Sequence, residues 1–292
     1  MKHIGLNFNI FKQGFKAATS YLFGLLSSIL LFITKEEIGI DTNCKSLLVV
    51  IFIISLSFVY AIIKTFFYKK KEIFSTAQCK LTIKYDDLWR IAFTKCPLKS
   101  KKKKIVVVGV NTAFDTIVDE KLSNIDKPLV STNTLHGQWI KKMGEQNISS
   151  EDINDAIQNN LKQQQIKPTI SLKKDRGNAD VYSKGTVAVY EYKNTIFYLI
   201  ALSEFDENNN AQNTRTELTA TVEKLISYYD KKGQGYDIYI PLLGTGRSRT
   251  DISAEESLET IASEIKINKS KIHGNINIVV YEKDRDKISI DI

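Results

Sequence analysis

The segment Tyr239 to Arg249 carries the most specific chemistry in the chain. An apolar run ends there in Pro241-Leu242-Leu243-Gly244-Thr245-Gly246, followed by Arg247 and Arg249. Paired glycines let the backbone approach a ligand closely, so that amide N–H groups point at an anion. The segment has neither the Gly-Lys-Ser/Thr of a Walker A loop nor the GxGxxG spacing of a dinucleotide fingerprint. It predicts an anion-binding loop, and an ordinary turn is the alternative.

Two further polar segments follow short apolar runs. The run Ile105 to Val110 breaks into Asn111-Thr112-Ala113-Phe114-Asp115, which offers hydrogen bonds for a ribose and an aromatic ring for a base. The second is a compact turn, Ser131 to Trp139, that contains Thr134, His136 and Gly137. In the alternative interpretation, Asn111 and Asp115 cap the next helix and His136 only packs.

The cysteines and histidines do not form a metal-binding or disulfide pattern. Cys44, Cys79 and Cys96 lie far apart, and the three histidines are equally scattered. This spacing is unlike a zinc site or a disulfide framework and is consistent with a reducing compartment. We therefore expect neither a metal nor a cofactor.

Strands alternate with helices from residue 78 onward. Ile105 to Val110 is β-branched and predicts a strand buried on both faces. Ser253 and Glu256 are spaced as a capping box at the start of a helix. The alternation predicts an α/β sheet covered by helices, with a ligand crevice at the carboxyl ends of strands. The other predicted strands are Lys80 to Tyr85, Pro128 to Ser131, Thr186 to Tyr192, Ile196 to Ser203, Tyr236 to Ile240 and Ile276 to Tyr281, and the helices are Glu151 to Gln165, Asn213 to Lys231 and Ser253 to Ile267.

Two apolar stretches precede this domain. Ala17 to Thr34 and Ser46 to Ile63 each run 18 residues without a formal charge, close to the length that crosses a bilayer. We predict a transmembrane hairpin and short linker over residues 1–77, with spans at about 15–34 and 46–68. A cleaved signal peptide is the alternative for the first stretch, but the run is long and a second span follows directly.

Lysines on both sides of the predicted hairpin determine its orientation. Lys2, Lys12 and Lys16 precede the first span, and Lys64 and Lys69 to Lys71 follow the second. Positively charged flanks remain on the cytoplasmic side. We therefore expect a two-span protein of the cell inner membrane with both termini in the cytoplasm.

The basic charge is concentrated near this membrane region. Residues 1–104 contain 18 Lys and Arg against 6 Asp and Glu, whereas residues 105–292 contain 23 against 27. The runs Lys69 to Lys71 and Lys101 to Lys104 fit attraction to anionic lipid headgroups, with a solvated loop as the alternative for the second run. Since no aromatic or glycine pattern of a nucleic-acid module is interleaved, we expect no nucleic-acid partner.

The order of these motifs resembles the macro domain, a family with an ADP-ribose-binding α/β/α fold and a mixed sheet. Pro241 to Gly246 is similar to the family's diphosphate loop, Asn111 to its leading Asn, Asp87 to its adenine-binding carboxylate, and Gly185 to the glycine before its central strand pair. The resemblance implies a macro-like domain over residues 78–292. It implies a ligand-binding set of Asp87, Leu88, Asn111, Thr112, Phe114, Asp115, Thr134, His136, Gly137, Leu243, Gly244, Thr245, Gly246, Arg247 and Arg249.

The chain departs from the hydrolytic macro domains. Thr134 to Trp139 replaces their glycine run, and Asn111-Thr112-Ala113-Phe114 replaces Asn-Ala-Ala-Asn. We therefore expect signal binding and no catalysis.

With the two spans in front, the chain resembles the transmembrane-macro effector of type II Thoeris antiphage defence. That resemblance implies a histidine-ADP-ribose signal made by a TIR-domain partner. It also implies ligand-driven homo-oligomers that disrupt membrane lipids and cause abortive infection. A membrane-tethered ADP-ribosyl hydrolase and a passive reader of ADP-ribosylated proteins are the alternatives.

Overall fold

The computed structural model describes residues 2–40, 42–94, 102–119, 129–173, 175–205, 211–212, 214–245 and 252–292. The chain forms two compact units. The first consists of Met1–Lys71 together with Lys283–Ile292, and the second is Glu72–Glu282. The domain boundary predicted at residues 77 and 78 stays a prediction, while the compact units divide at Lys71.

The first unit is built on three helices, α1 (Lys2–Leu6), α2 (Phe8–Ile29) and α3 (Asn43–Phe66). Helices α2 and α3 pack together where Gly14 meets Ala61, since a Cβ at Gly14 would lie 3.4 Å from the Ala61 Cα. The rings of Phe11 and Phe58 meet edge to face at 5.4 Å. Small residues let two helix backbones approach closely, which favours association of apolar helices.

Helix α3 is the one helix in the described part of the chain that is long and apolar enough to cross a membrane. It overlaps the predicted span 46–68. The span predicted at 15–34 differs from the observed helix, because α2 begins at Phe8, includes Lys12 and Lys16, and ends at Ile29. Its helical residues are therefore more polar than the apolar stretch on which the prediction was based.

The second unit contains a mixed sheet, as predicted. Its order is β1-β2-β12-β11-β3-β9-β10, and β8 pairs with β9. The strands β2, β12, β11, β3 and β9 run parallel to one another in that order, whereas β8 and β10 run antiparallel to β9. Two short pairs, β4 with β5 and β6 with β7, lie outside this sheet. The strands are β1 (Lys70–Ser75), β2 (Cys79–Asp86), β3 (Lys104–Asn111), β4 (Val118–Asp119), β5 (Val130–Ser131), β6 (Ile170–Ser171), β7 (Asp180–Val181), β8 (Val187–Tyr192), β9 (Thr195–Phe205), β10 (Ala211–Gln212), β11 (Asp237–Pro241) and β12 (Gly274–Tyr281).

Helices cover this sheet. The predicted capping box of α8 is present: Glu256 accepts from the Ser253 N–H at 2.8 Å, and Ser253 Oγ accepts from the Glu256 N–H at 3.1 Å. These reciprocal bonds satisfy two helix-end donors. The helices are α4 (Leu88–Phe93), α5 (Leu135–Gly144), α6 (Ser150–Gln163), α7 (Arg215–Lys232) and α8 (Ala254–Ile267).

Strand β3 lies at the centre of the core and is buried on both faces, as its β-branched run predicts. One face, with Val106 and Val108, belongs to a cluster that includes Trp139 of α5 and Ile153 of α6. Helices α7 and α8 pack on each other and contact β9 and β12. Each fully buried aliphatic side chain stabilises such a core by about 1.5 to 3 kcal/mol, so β3 holds the loop at its carboxyl end in a fixed place.

The lysine run before β3 is engaged with the protein. Lys102 and Lys103 pair with Asp237 and Glu191 at 3.7 and 2.7 Å. Lys104 opens β3 and donates to a backbone carbonyl, and Lys101 lies outside the described residues. Because the Lys102 and Lys103 side chains are 59% and 39% exposed, these ion pairs lie at the surface, and the attraction of this run to lipid headgroups stays a prediction.

Candidate functional site

The register of the sheet brings the ends of four strands to one edge. Asp86 at the end of β2 pairs with Tyr281 at the end of β12. Two residues earlier on β12, Val279 pairs with Pro241 at the end of β11. Since β11 is parallel to β3, the loop after Asn111 lies at the same edge. We call this the strand-end edge; it comprises Asp86–Leu88, Tyr281, Leu242–Thr245 and Asn111–Asp115.

The strand-end edge is long. Neighbouring strands lie about 4.8 Å apart, so three intervals separate β2 from β3 by about 14 Å. Polar groups therefore stand at both ends of the edge, with a glycine loop between them.

At the β2 end, Asp87 begins helix α4. Its Oδ1 accepts from the backbone N–H groups of Trp89 and Arg90 at 2.8 and 3.0 Å. None of the described groups donates a hydrogen bond to its Oδ2. Leu88 beside it is buried. The helix cap thus fixes the direction of the carboxylate and leaves one oxygen as an acceptor for a ligand.

The neighbouring Asp86 adds a second negative charge. Burial acts to raise the pKa of Asp86, but hydrogen bonds from Arg90, the Asp87 backbone and Lys84 hold it below its usual range. The ion pairs measure 2.6 Å to Arg90 and 3.1 Å to Lys84. The Lys84 ammonium also lies 4.7 Å from the ring centre of Tyr239. Asp86 therefore stays ionised and orders this end of the edge, a role that the sequence analysis did not assign.

In the middle of the edge, the loop after β11 turns at Gly244, whose φ of +76° favours glycine. The buried Leu243 accepts through its carbonyl from Ser257 Oγ at 2.7 Å, which fixes the loop to α8. Thr245 Oγ1 lies 3.4 Å from the Leu242 carbonyl. The remaining predicted residues of this loop, Gly246, Arg247 and Arg249, lie outside the described residues.

At the β3 end, Asn111 holds the following turn together. Its Oδ1 accepts from the backbone N–H of Asp115 at 3.0 Å, and its Nδ2 donates to the Asp115 carboxylate at 2.9 Å. Phe114 in the turn has a φ of 52°, which is uncommon for a non-glycine residue. Asn111 is therefore occupied in shaping its own loop.

Asp115 is fully buried and is held from a second direction by the segment Gly177 to Asn178. Its Oδ1 accepts from the Asn178 backbone N–H at 2.6 Å. The Asn178 side chain donates to the carbonyls of Ala113 and Phe114, each at 3.0 Å. A Cβ on Gly177 would lie 2.4 Å from Asp115 Oδ1, so only glycine fits there. The sequence analysis missed this clamp, for which the Gly-Asn pair was the available signal.

Phe114 and Thr112 also face the interior. The Phe114 ring is buried and meets Tyr182 edge to face, with ring centres 5.6 Å apart. The buried Thr112 donates its backbone N–H to the Ser203 carbonyl at 3.1 Å, and its own carbonyl accepts from the Tyr182 N–H at 2.9 Å. The structure therefore brings the predicted residues of this loop together but directs them into the protein, and the Phe114 ring presents no exposed face to a base.

The predicted polar turn at Thr134 is the start of α5. Thr134 Oγ1 accepts from the Gly137 N–H at 3.1 Å and donates to the Ser131 carbonyl at 2.7 Å. Gly137 passes so close to Ser131 that a Cβ would lie 2.2 Å from its carbonyl oxygen. Gly137 is thus required by packing.

His136 connects α5 to the Asp115 loop. Burial lowers the pKa of His136 to about 3, while a hydrogen bond with the Asp115 backbone acts in the opposite direction. The imidazole is therefore neutral at physiological pH. It acts here as a buried hydrogen-bonding group.

Tyr281 is a second residue that the sequence analysis did not assign. It ends β12 between the carboxyl ends of β2 and β11, and its side chain is 45% exposed. An aromatic residue directly after the Ile/Val run of β12 was the available signal. It places a partly exposed ring between Asp87 and the Gly244 loop along the sheet.

Within the described ranges, no group of three His, Cys, Asp or Glu side chains is arranged to hold a metal ion. Cys44 and Cys79 are free thiols, and Cys96 lies outside those ranges. The chemistry of the described edge is therefore that of hydrogen bonding, charge and aromatic contact.

Residues 81–281 match the family model described as Thoeris protein ThsA, Macro domain. A Thoeris protein ThsA of Bacillus amyloliquefaciens (strain Y2) is 25% identical over 283 residues, covering 93% of this chain and 86% of that protein. Two solved structures of an Oceanobacillus iheyensis macrodomain are also similar. The first is a mutant with ADPR that is 10% identical; the match covers 74% of this chain and 92% of the mutant's chain, with a TM-score of 0.42. The macrodomain with ADP has 10% identity, corresponding coverages of 74% and 90%, and a TM-score of 0.40.

Proposed function

The chain belongs to the Thoeris protein ThsA macro-domain family, and from this membership we propose that its second unit binds an ADP-ribose-derived signal in antiphage defence. The observation that carries the proposal is the strand-end edge, where Asp87 and the Gly244 loop follow parallel strands of one sheet. Both lie within the matched residues.

The placement of these groups suits a nucleotide diphosphate. Asp87 Oδ2 is the acceptor for the adenine amino group, and Tyr281 supplies an aromatic surface beside it. Two strand intervals, about 10 Å, separate β2 from β11, which leaves room for a ribose between the base and the diphosphate. The backbone at Gly244 and Thr245 then receives the diphosphate, because a glycine turn lets amide groups approach an anion.

We further propose that the ligand is bound without being consumed. A general base must reach the proton that it removes. Asp115 and His136, the ionisable groups of the β3 and α5 loops, are both buried. Asp115 bonds to Asn111 and Asn178, and His136 bonds to the backbone of Asp115. This engagement within the protein supports binding over hydrolysis.

The first unit is the proposed membrane effector. We propose that α2 and α3 form a two-span hairpin in the inner membrane with both ends in the cytoplasm. The apolar α3 and its packing against α2 support this. The bond from His3 to the Arg285 backbone also supports it, since residues before α2 and after β12 then lie on the same side of the membrane.

We propose that the signal is histidine-ADP-ribose made by a TIR-domain protein. We further propose that its binding assembles homo-oligomers, which disrupt membrane lipids and cause abortive infection. Assembly requires that the signal bind the assembled state more tightly. Shifting a 1:99 equilibrium to 99:1 takes about a 10⁴-fold preference.

Substitution at the β2 end tests the site. Asp87→Asn keeps the shape of the side chain but replaces one carboxylate oxygen with an amide donor. We expect it to weaken ADP-ribose binding by at least about tenfold, the factor that corresponds to 1.4 kcal/mol. The matched control is Asp155→Asn on the exposed face of α6, and isothermal titration calorimetry of the full chain in detergent is the measurement. Equal weakening in both variants, or in neither, contradicts the proposed site.

Membrane potential separates the effector from a passive reader. In cells that make the signal, the wild-type chain should collapse the potential, and Asp87→Asn should protect it. A chain that binds the signal while the potential stays constant is a passive reader.

A further inference from the structure

The segment Lys283–Ile292 follows the last strand of the second unit but packs into the first unit. It begins two residues after Tyr281, through a 3-10 turn at Glu282–Asp284. We call Lys283–Ile292 the latch. Its contacts within the first unit join three parts of the sequence that are far apart.

His3 lies at the centre of these contacts and is buried. Its Nδ1 is 2.9 Å from the backbone oxygen of Arg285, and its Nε2 is 3.1 Å from that of Thr65. The His3 side chain therefore lies between α1, the last turn of α3 and the latch, and in its neutral form it donates to one of the two carbonyls at a time.

Asn7 extends the same network. It is fully buried, its Nδ2 donates to the His3 carbonyl at 3.0 Å, and its Oδ1 accepts from Ser289 Oγ at 3.0 Å. Ser289 Oγ in turn accepts from the Asp291 N–H at 3.0 Å. The amide group thus fixes the latch to the junction between α1 and α2.

Charged groups close both ends of the latch. The Arg285 guanidinium donates to the Phe66 carbonyl and lies 5.1 Å from the centre of the Phe66 ring. Lys71 pairs with Asp291 at 2.5 Å, and the Asp291 side chain is only 9% exposed. Between them, Ile288 and Ile290 are buried. Polar and apolar contacts alternate along the latch, so it packs against the first unit in one defined position.

We propose that the latch carries changes at the strand-end edge to the ends of α1 and α3. The inference rests on the proposed function and assigns its coupling element. The chain passes between the two units at Lys71–Glu72 and again at Glu282–Lys283. The second passage starts beside Tyr281, at the edge where the nucleotide is proposed to bind. Because the latch is held by partly buried hydrogen bonds and by the buried side chains of Ile288 and Ile290, a displacement of the end of β12 is transmitted to α1 and α3 and is not absorbed by a loose tether.

Hydrogen exchange of the full chain in lipid nanodiscs, with and without saturating ADP-ribose, tests the proposal. In the wild type, ADP-ribose should slow amide exchange at residues 86–89 and 242–245 and change it in α1 and the last turn of α3. In Arg285→Ala/Ser289→Ala, the protection of the edge should persist and the response of α1 and α3 should vanish. Lys287→Ala is the matched control, since the partner of this exposed lysine among the described residues is Asp284, which belongs to the latch itself.

A charge exchange covers the case in which the double variant does not fold. Lys71→Asp alone should abolish the response of α1, and Lys71→Asp combined with Asp291→Lys should restore it, since the ion pair is re-formed. Restoration distinguishes a specific contact from general destabilisation.

Each outcome decides the inference. Protection at the edge of the wild type without a response in α1 overturns the latch alone. A response that survives in Arg285→Ala/Ser289→Ala, or one that Lys287→Ala abolishes equally, also overturns it. Absence of protection at the wild-type edge overturns the proposed function, and the coupling role falls with it.

Discussion

Acid should destabilise the second unit through the buried His136. The pKa of His136 is lowered by burial to about 3, against about 6.5 in an unfolded chain. The unfolded state therefore binds a proton that the folded state excludes. The neutral His136 therefore causes no loss of unfolding free energy above pH 6.5, the unfolded pKa. The unfolding free energy decreases as the pH falls from about 6.5 towards 3.

The size of the effect follows from these two values. Well below pH 6.5, each further pH unit costs about 1.4 kcal/mol, and the accumulated loss at pH 5 is about 2 kcal/mol relative to pH 7.5. The carboxylates whose pKa is lowered, such as Asp86 and Glu217, contribute to the loss at lower pH. A variant of His136 is therefore needed to separate its contribution from that of the carboxylates.

Tryptophan fluorescence during urea unfolding measures this loss. Both tryptophans, Trp89 and Trp139, lie in the second unit, so the signal reports on that unit in the full chain. His136→Gln should be less stable at pH 7.5 and should lose little further stability by pH 5. His273→Gln, at a largely exposed histidine, should keep the wild-type pH dependence. If the unfolding free energy of His136→Gln falls with pH as steeply as that of the wild type, His136 is not the group responsible.

Three further predictions concern packing, the buried loop and the membrane. Gly137→Ala should cost about 1 to 3 kcal/mol of unfolding free energy in the same assay, because its Cβ would collide with the Ser131 carbonyl; a neutral effect contradicts the packing. Asn178→Ala should lower the unfolding free energy by about 1 to 3 kcal/mol, because it leaves the carbonyls of two buried residues without their donor. Asp155→Asn, at an exposed position, should change the unfolding free energy little. In a Cys44→Ser background, which removes the exposed native thiol nearby, Ile38→Cys in the connection between α2 and α3 should react with an impermeant maleimide from outside intact cells, and labelling only after lysis contradicts the proposed orientation.

Local patterns in the sequence predicted much of the fold. The β-branched run Ile105 to Val110 became β3, and the Ser253–Glu256 spacing became a capping box. Both signals depend on residues a few positions apart, which a single sequence displays directly. The first apolar stretch was less informative, because α2 begins earlier, in polar sequence, and ends at Ile29.

The candidate site depends on contacts between distant residues, which limited its prediction. Asn111 and Asp115 were predicted as ligand contacts, but Asn178, more than 60 residues away, closes their loop from outside. Tyr281 stands at the edge only because β12 pairs with β2. The latch joins His3 to Arg285, 282 positions apart. Such partners are set by strand order and burial, which residue spacing does not encode.

Titration of the full chain with ADP-ribose, followed by chromatography of the recovered nucleotide, tests the central claim most directly. We predict a saturable calorimetric signal that Asp87→Asn weakens, with the nucleotide recovered intact after prolonged incubation. The same titration with the histidine conjugate ranks the two ligands. Absence of saturation with both ligands contradicts the proposed site, and recovery of cleaved nucleotide in amounts exceeding the protein contradicts binding without turnover.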